Sequence, residues 1–270
     1  LNKTWYLRPV THDVNGYSSP TPTSDGENVY VVFGSGIVAS YDLDGRRRWI
    51  KFIEKPVNEW GHSASPLLAG GKLLVHILNV TALNPASGEI LWQTRVKERW
   101  GSPVATRIGA VDVAVTAGGD ILRVSDGKLL ARQLSPLEYC APLVHSNRLH
   151  FIENGGKAFS LPDTGAEGDS LSLSPLWQTK PAKERYYASP VYHDGLIYAV
   201  MQHGTLSVID AETGSVVAEN KMDFKGTFFP SLCLAGSALF VSSDKGITAV
   251  FKPGRKLELI SRNSLEPFRS

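Results

Sequence analysis

Aromatic residues recur at one position of the sequence, shortly before six dipeptides that combine a small residue with proline. Aromatic and arginine side chains often anchor binding interfaces, so the pattern is compatible with a surface that binds a protein, a peptide or a glycan. The six dipeptides are Ser19-Pro20, Ser65-Pro66, Ser102-Pro103, Ala141-Pro142, Ser189-Pro190 and, in inverted order, Pro230-Ser231. Three residues before the second member of each dipeptide stand Tyr17, Ser63, Trp100, Tyr139, Tyr187 and Phe228.

Polar and charged residues crowd the same segments. Loops that are positioned by a rigid scaffold are common places for binding residues, so these side chains join the aromatic ones as candidates for one shared ligand mouth. They are His12, Asp13, Asn15, Asn58, Glu59, Trp60, His62, Arg99, Glu138, Arg185, Tyr186 and Lys225. Among them, His12 and Asp13 could work with Glu59 and His62 as general acid and base if folding brings the four within hydrogen-bonding reach of a substrate.

Histidine and cysteine spacing predicts no metal site. None of the histidines between His62 and His203 form an HxH or HxxxH pair. Cys140 and Cys233 each stand alone, which excludes CxxC metal and redox motifs. We expect both cysteines to be small buried hydrophobic side chains.

Composition places the chain among ordinary soluble proteins. Its 270 residues are 42% hydrophobic and 20% charged, with a net charge of +2. The near balance of charges gives no field that would attract nucleic acid. The longest apolar runs, such as Val111–Val115, are too short to cross a bilayer, so we expect no membrane-spanning segment.

An internal repeat predicts the fold. Between the small-proline dipeptides the chain runs six times through short apolar segments separated by Gly, Asp or Asn turns, and each copy closes on a glycine. The spacings between these closing glycines are 43, 39, 38, 49 and 40 residues. About forty residues and four strands per copy are typical of a β-propeller blade. The closing glycines are Gly45, Gly88, Gly127, Gly165, Gly214 and Gly254.

The predicted fold is therefore all-β, a single propeller domain over residues 1–270 built from four-stranded antiparallel blades. We expect six complete repeats, at about 18–57, 63–98, 100–136, 139–180, 187–222 and 228–262, and an outer strand of a preceding blade at 1–10. The most apolar segment of each repeat is predicted to be its second strand: Val29–Phe33, Leu73–Leu78, Val111–Val115, Leu149–Ile152, Ile197–Met201 and Leu239–Val241.

The turn before each closing glycine carries a family resemblance. The segments VASYDLDGRRRW (38–49), TALNPASGEILW (81–92) and SVIDAETGSVVA (207–218) resemble the pyrroloquinoline-quinone (PQQ) type propeller repeat. That repeat occurs in quinoprotein dehydrogenases and in BamB-type outer-membrane assembly propellers. The resemblance implies a bacterial, periplasmic or extracellular protein in which Trp49, Trp92 and Trp177 dock against neighbouring blades.

The resemblance also implies an eight-bladed ring. Six repeats would then be part of a larger propeller whose remaining blades belong to a longer chain, and we expect the isolated 270 residues to form an open arc that self-associates. The fourth repeat departs from the pattern, because an eight-residue insertion with the flexible, Ser-rich sequence AEGDSLSLSP precedes Trp177.

Three functions are compatible with this sequence. The first is a non-catalytic binding or scaffold module that uses the loops at the mouth of its central channel and needs no cofactor. The second is a PQQ-dependent dehydrogenase with calcium, or a fragment of one, although the chain lacks the adjacent cysteine pair of that group. The third is a lyase or hydrolase acting on glycans. A further structural interpretation is that the recurring aromatics wedge between neighbouring blades.

Overall fold

The described residues form six four-stranded antiparallel sheets, which confirms the predicted all-β class. The computed structural model describes residue 16 and residues 18–57, 61–180 and 185–265, and within them no helix occurs. The first three sheets are β1 (Thr23–Ser24), β2 (Asn28–Val32), β3 (Ile37–Asp42) and β4 (Arg47–Phe52); β5 (Leu67–Ala69), β6 (Lys72–His76), β7 (Asn79–Leu83) and β8 (Ile90–Arg95); and β9 (Val104–Ile108), β10 (Val111–Val115), β11 (Ile121–Arg123) and β12 (Leu129–Ala131).

The other three sheets repeat the same order of strands. They are β13 (Leu143–His145), β14 (Arg148–Ile152), β15 (Gly156–Ser160) and β16 (Ser174–Thr179); β17 (Val191–His193), β18 (Leu196–Val200), β19 (Thr205–Asp210) and β20 (Val216–Lys221); and β21 (Cys233–Ala235), β22 (Ala238–Ser242), β23 (Ile247–Lys252) and β24 (Glu258–Ser264). The second strand of each sheet falls where the apolar runs predicted it. The strand predicted at 1–10 lies outside the described residues.

Each sheet is a meander in which every strand pairs with the next one along the chain. The register between the third and fourth strands shifts by one residue in all six sheets. Such β-bulges increase the local twist of a sheet. The middle strands carry most of the buried side chains, and all five residues of β18 are buried.

The described sheets fall into two compact units. The first unit holds the first three sheets up to Pro136 together with Asp163–Ser172, and the second unit holds the remaining residues from Leu137 onwards. Each unit has its own apolar core. In the first, Tyr30, Trp49 and Leu73 belong to one buried cluster. In the second, Tyr198, Phe228 and Leu239 belong to another.

Tryptophan side chains join neighbouring sheets within each unit. The Trp49 indole donates its Nε1 hydrogen to the Pro85 carbonyl oxygen at 2.7 Å and covers Gly88. A Cβ atom placed on Gly88 would lie 2.6 Å from the indole, and Gly88 has φ 69°, so glycine is required there on two counts. The same arrangement joins Trp92 to Val124 and Gly127, and Trp177 to Ala211 and Gly214.

The insertion in the fourth repeat is packed, in contrast to the flexible segment expected from its composition. Arg123 donates from Nη1 to three consecutive carbonyl oxygens of the insertion, those of Ala166, Glu167 and Gly168. The Leu171 amide donates to the Leu130 carbonyl oxygen at 2.8 Å, so the insertion adds to the edge of the third sheet. Ala166 and Leu171 are buried, so apolar side chains hold this segment in place. Its serine-rich composition gave no indication of this in the sequence.

The two cysteines differ in their surroundings. Cys140 is buried, as expected, but Cys233 is exposed, so the prediction that both are buried is wrong for Cys233. Side chains alternate between the two faces of a strand. On β21 the inward position belongs to Leu234, which packs against the core of the second unit, and Cys233 therefore faces outward.

Candidate protein-binding surface

Serine hydroxyls at the start of the sheets hold neighbouring sheets in register. In the second unit, Ser189 Oγ accepts a hydrogen bond from the Ala141 amide at 3.0 Å, and Ser231 Oγ accepts one from the Ser189 amide at 3.2 Å. In the first unit, Ser65 and Ser102 accept equivalent bonds from Thr21 and Ser65. The serine therefore has a defined role in four of the six dipeptides, because its side chain reaches the backbone of the preceding sheet.

This serine register corrects the sequence alignment of the last repeat. Ser231 occupies the position of Ser189, so the equivalent of Tyr187 is Phe229 and not Phe228. Phe228 is fully buried in the core of the second unit, where its ring covers Gly204. Because the order Pro230-Ser231 is inverted, the count of residues before the dipeptide reached Phe228, one position too early. Counting two residues back from the small residue of each dipeptide, instead of three from its second member, would have found Phe229.

Three rings form a continuous row on the second unit. Tyr139 and Tyr187 meet edge to face with centroids 4.9 Å apart, and Tyr187 and Phe229 lie 4.8 Å apart. Both distances fall within the range of favourable aromatic pairs. Tyr139 and Tyr187 are half-buried and Phe229 is 42% exposed, so the row is accessible from solvent. We refer to Tyr139, Tyr187 and Phe229 as the aromatic row.

The guanidinium of Arg185 lies over the aromatic row. Its Cζ atom is 5.8 Å from the Tyr139 centroid and 5.9 Å from the Tyr187 centroid, within the range of cation–π attraction. Its Nη1 also donates to the Tyr187 hydroxyl at 3.2 Å. This hydrogen bond is the main cause that raises the pKa of Arg185 above its usual value. The row thus carries a permanent, exposed positive charge.

Buried polar groups hold the backbone of the aromatic row in place. The Glu153 carboxylate accepts hydrogen bonds from the amides of Glu138, Tyr139 and Cys140, although burial raises the pKa of Glu153. The Gln202 amide donates to the Arg185 carbonyl oxygen at 2.7 Å. A binding site whose backbone is held by such supporting hydrogen bonds keeps a defined geometry.

The Phe229 end of the row has its own anchors. The Asp244 carboxylate accepts a hydrogen bond from the Thr227 amide at 2.8 Å, and the Gln202 carbonyl oxygen accepts one from the Phe228 amide at 3.1 Å. All three parts of the row are therefore fixed to the turns that link second and third strands.

The first unit has no comparable row among its described residues. Ser63, Arg99 and Trp100 are half-buried, and the Ser63 hydroxyl donates to the Trp100 carbonyl oxygen at 3.0 Å. His62 is buried, and burial lowers its pKa to about 4, so it is neutral at pH 7. His76 is also buried, with a pKa of about 3 from the same main cause.

The structure separates the predicted mouth residues into several groups. His62, Tyr186 and Phe228 are buried, so the expectation that they line an exposed mouth is corrected. Tyr186 points inward because its neighbours Arg185 and Tyr187 take the outward positions. Glu138 is half-buried and Lys225 is exposed. Outside the described residues lie His12, Asp13, Asn15, Tyr17, Asn58, Glu59 and Trp60.

The arrangement supports binding and assigns no catalytic step. In residues 18–57, 61–180 and 185–265, no three His, Cys, Asp or Glu side chains are grouped closely enough to hold a metal ion. We therefore derive no chemistry through a calcium-bound quinone. The same part of the chain contains no helix long and apolar enough to cross a membrane.

Comparison with known proteins identifies the family. A family model described as outer membrane protein assembly factor BamB matches residues 78–257, about two thirds of the chain. The chain belongs to this BamB family. The BamB protein of Yersinia pestis is 21% identical over 243 residues, covering 84% of this chain and 59% of that protein. The BamB protein of Shewanella oneidensis is 24% identical over 237 residues, covering 85% of this chain and 60% of that protein.

Solved structures agree with the BamB family at the level of fold. The crystal structure of BamB from Moraxella catarrhalis has a TM-score of 0.70 with 15% sequence identity, covering 92% of this chain and 77% of that one. The computationally designed Ika8 protein has a TM-score of 0.57 with 11% identity, covering 94% of this chain and 90% of that one. The family resemblance predicted from the repeat is thereby confirmed. The chain spans about three fifths of the length of the Yersinia pestis relative.

Proposed function

We propose that this chain is a non-catalytic scaffold propeller of the bacterial envelope that takes part in outer membrane protein assembly. Its membership of the BamB family supports the process and a periplasmic location. The observation that carries the binding role is the aromatic row with Arg185 above it, because exposed aromatic and arginine side chains on rigid supports are typical hot spots of protein interfaces.

The proposed contact with a partner protein runs through Tyr139, Tyr187, Phe229 and Arg185. Interfaces of this kind combine a large apolar contact area with a few charged groups that fix orientation. The buried supports at Glu153, Gln202 and Asp244 belong to the scaffold rather than to the contact.

Genetic complementation tests this function. Deleting the gene in its own organism should lower the amount of folded outer membrane protein, measured by heat-modifiable migration in gels of isolated envelopes. The wild-type gene should restore it. A Tyr187→Ala, Phe229→Ala double variant should fail to restore it while reaching the same protein level.

The control for this experiment is Leu91→Ala, which removes a 45% exposed apolar side chain from a strand of the first unit. It should restore assembly as well as the wild type does. Normal amounts of folded outer membrane protein after deletion would refute the role in assembly. Full restoration by the double variant would refute the aromatic row as the contact.

A further inference from the structure

Arg185 differs from the other arginines in the described part of the second unit. Arg148 pairs with Glu212 at 2.6 Å, Arg255 with Asp210 at 2.8 Å and Arg262 with Asp223 at 2.9 Å. Arg185 has Tyr187 and the two tyrosine rings as its neighbours and no described carboxylate within ion-pair distance. Among the described residues, Nη1 donates to the Tyr187 hydroxyl, and the other guanidinium N–H groups are donors that an acceptor from another molecule can use.

A second cation, Lys225, belongs to the segment that carries Phe229. Its side chain is exposed, and it forms no ion pair with a described carboxylate. Glu138 is half-buried and is the last of the causes that raise the pKa of Arg185. Arg185 thus places an exposed positive charge directly over the aromatic row, although the whole chain is nearly neutral at +2.

The shape of the row limits what can occupy it. Three rings in contact, each about 5 Å from the next, form a narrow apolar strip rather than an enclosed pocket. Such a strip suits one or two apolar side chains of an extended segment, and an arginine at its side suits a carboxylate, which it can hold through two parallel hydrogen bonds. A nucleic acid would need many more cations than these two.

We propose that the aromatic row binds an extended acidic segment of the partner protein. An apolar side chain of that segment packs on Tyr187 and Phe229, and a neighbouring Asp or Glu carboxylate binds Arg185, with Lys225 adding attraction at longer range. This inference rests on the proposed function, because it specifies the chemistry of the partner at the same surface.

Two short fluorescein-labelled peptides provide the test. The first contains Asp, Glu, Phe and Leu flanked by glycines, and the second replaces every acidic residue with Lys. Fluorescence anisotropy at low salt should show the acidic peptide binding at least about tenfold more tightly than the basic one. Raising the salt concentration to about 0.5 M should weaken its binding, since exposed charges are screened.

Variants of Arg185 decide whether the preference arises at this site. Arg185→Gln should abolish the preference for the acidic peptide, whereas Arg185→Lys should retain part of it. Arg95→Gln, at an exposed arginine of the first unit, is the matched control and should behave like the wild type. The melting temperature should be the same for all of these proteins because both arginine side chains are exposed.

Three outcomes would overturn the proposal: equal binding of the two peptides, a preference that survives Arg185→Gln, or no saturable binding of the acidic peptide at about 1 mM. Each would leave the proposed function standing if complementation still required Tyr187 and Phe229. Normal outer membrane protein assembly after gene deletion would instead refute the proposed function, whatever the peptides do.

Discussion

Adjacent residues of the mouth segments have different roles, because backbone geometry and not residue type decides which side chain meets solvent. Arg185 is exposed, Tyr186 is fully buried and Tyr187 is half-buried. Phe228 and Phe229 show the same contrast, with one ring in the core and the next in the aromatic row. A tyrosine or phenylalanine in these segments is therefore a binding candidate only when its register is known.

Buried histidines should make the protein sensitive to mild acid. Burial lowers the pKa to about 4 for His62 and His150 and to about 3 for His76, against about 6.5 in an unfolded chain. Between these values the unfolded state binds more protons than the folded state, so stability falls as the pH drops from about 6.5 towards 4. We expect each histidine to cost about 2 kcal/mol between pH 7 and pH 5.

Urea unfolding at pH 7 and pH 5 measures this effect. The His76→Gln variant should lose less stability between the two pH values than the wild type, because one buried titrating group is gone. The matched control is His203→Gln, at an exposed side chain, which should keep the pH dependence of the wild type. Equal stability of the wild type at both pH values would contradict the burial of these rings.

At the scale of elements, neighbouring sheets within each unit are joined by a few specific contacts. The serine hydroxyls fix the segments that lead into the first strands, and the tryptophans fix the fourth strands. The third sheet has Ala131 at the position of the docking tryptophan, and its edge is covered by the insertion through Leu171 and Arg123. Within the first unit, the insertion therefore compensates for the absence of a docking tryptophan from the third sheet.

Removing a docking tryptophan should destabilise the first unit strongly. Trp92→Ala deletes an indole that packs on Gly127 and donates to the Val124 carbonyl oxygen at 3.0 Å, so we expect a loss of about 3–5 kcal/mol. Leu91→Ala is the matched control, since Leu91 directly precedes Trp92 on the same strand and is exposed. It should cost below about 1 kcal/mol. Equal losses in chemical denaturation would show that the indole does not dock.

Across the described part of the chain, one pattern of hydrogen bonding recurs six times. The second and third strands of every sheet pair on both sides, whereas the first and fourth strands pair on one side. Local opening exposes the least supported amides first. The same repetition places most of the buried apolar side chains on the two middle strands.

Hydrogen–deuterium exchange should display this repetition. We expect peptides that cover the middle strands, such as Lys72–Leu83 and Leu196–Asp210, to exchange more slowly than peptides from the outer strands of the same sheets. Mass spectrometry of peptic fragments can follow all six sheets in one experiment. Fast exchange in the middle strands of one sheet would mean that this sheet is not an independent, stably formed repeat.

Periodicity in the sequence was sufficient to determine the fold and the family. Apolar runs at a spacing of about forty residues, closed by glycines such as Gly88 and Gly127, specify strands and turns through local rules of backbone geometry. The tryptophans that cover those glycines follow from the same motif. Each repeat carries this information by itself, because most strand pairs form between neighbours in the sequence.

The binding surface depended on tertiary structure. Tyr187 lies 48 residues after Tyr139, and Phe229 lies 42 residues after Tyr187, so only the packing of three successive sheets brings their rings into contact. The hydrogen bond from the Ser189 amide to the Ser231 hydroxyl established that Phe229 corresponds to Tyr187. The inverted order of Pro230 and Ser231 obscured this correspondence in the sequence. Burial separated Tyr186, His62 and Phe228 from the surface for the same reason, since a sequence segment does not reveal which face of its backbone meets the core.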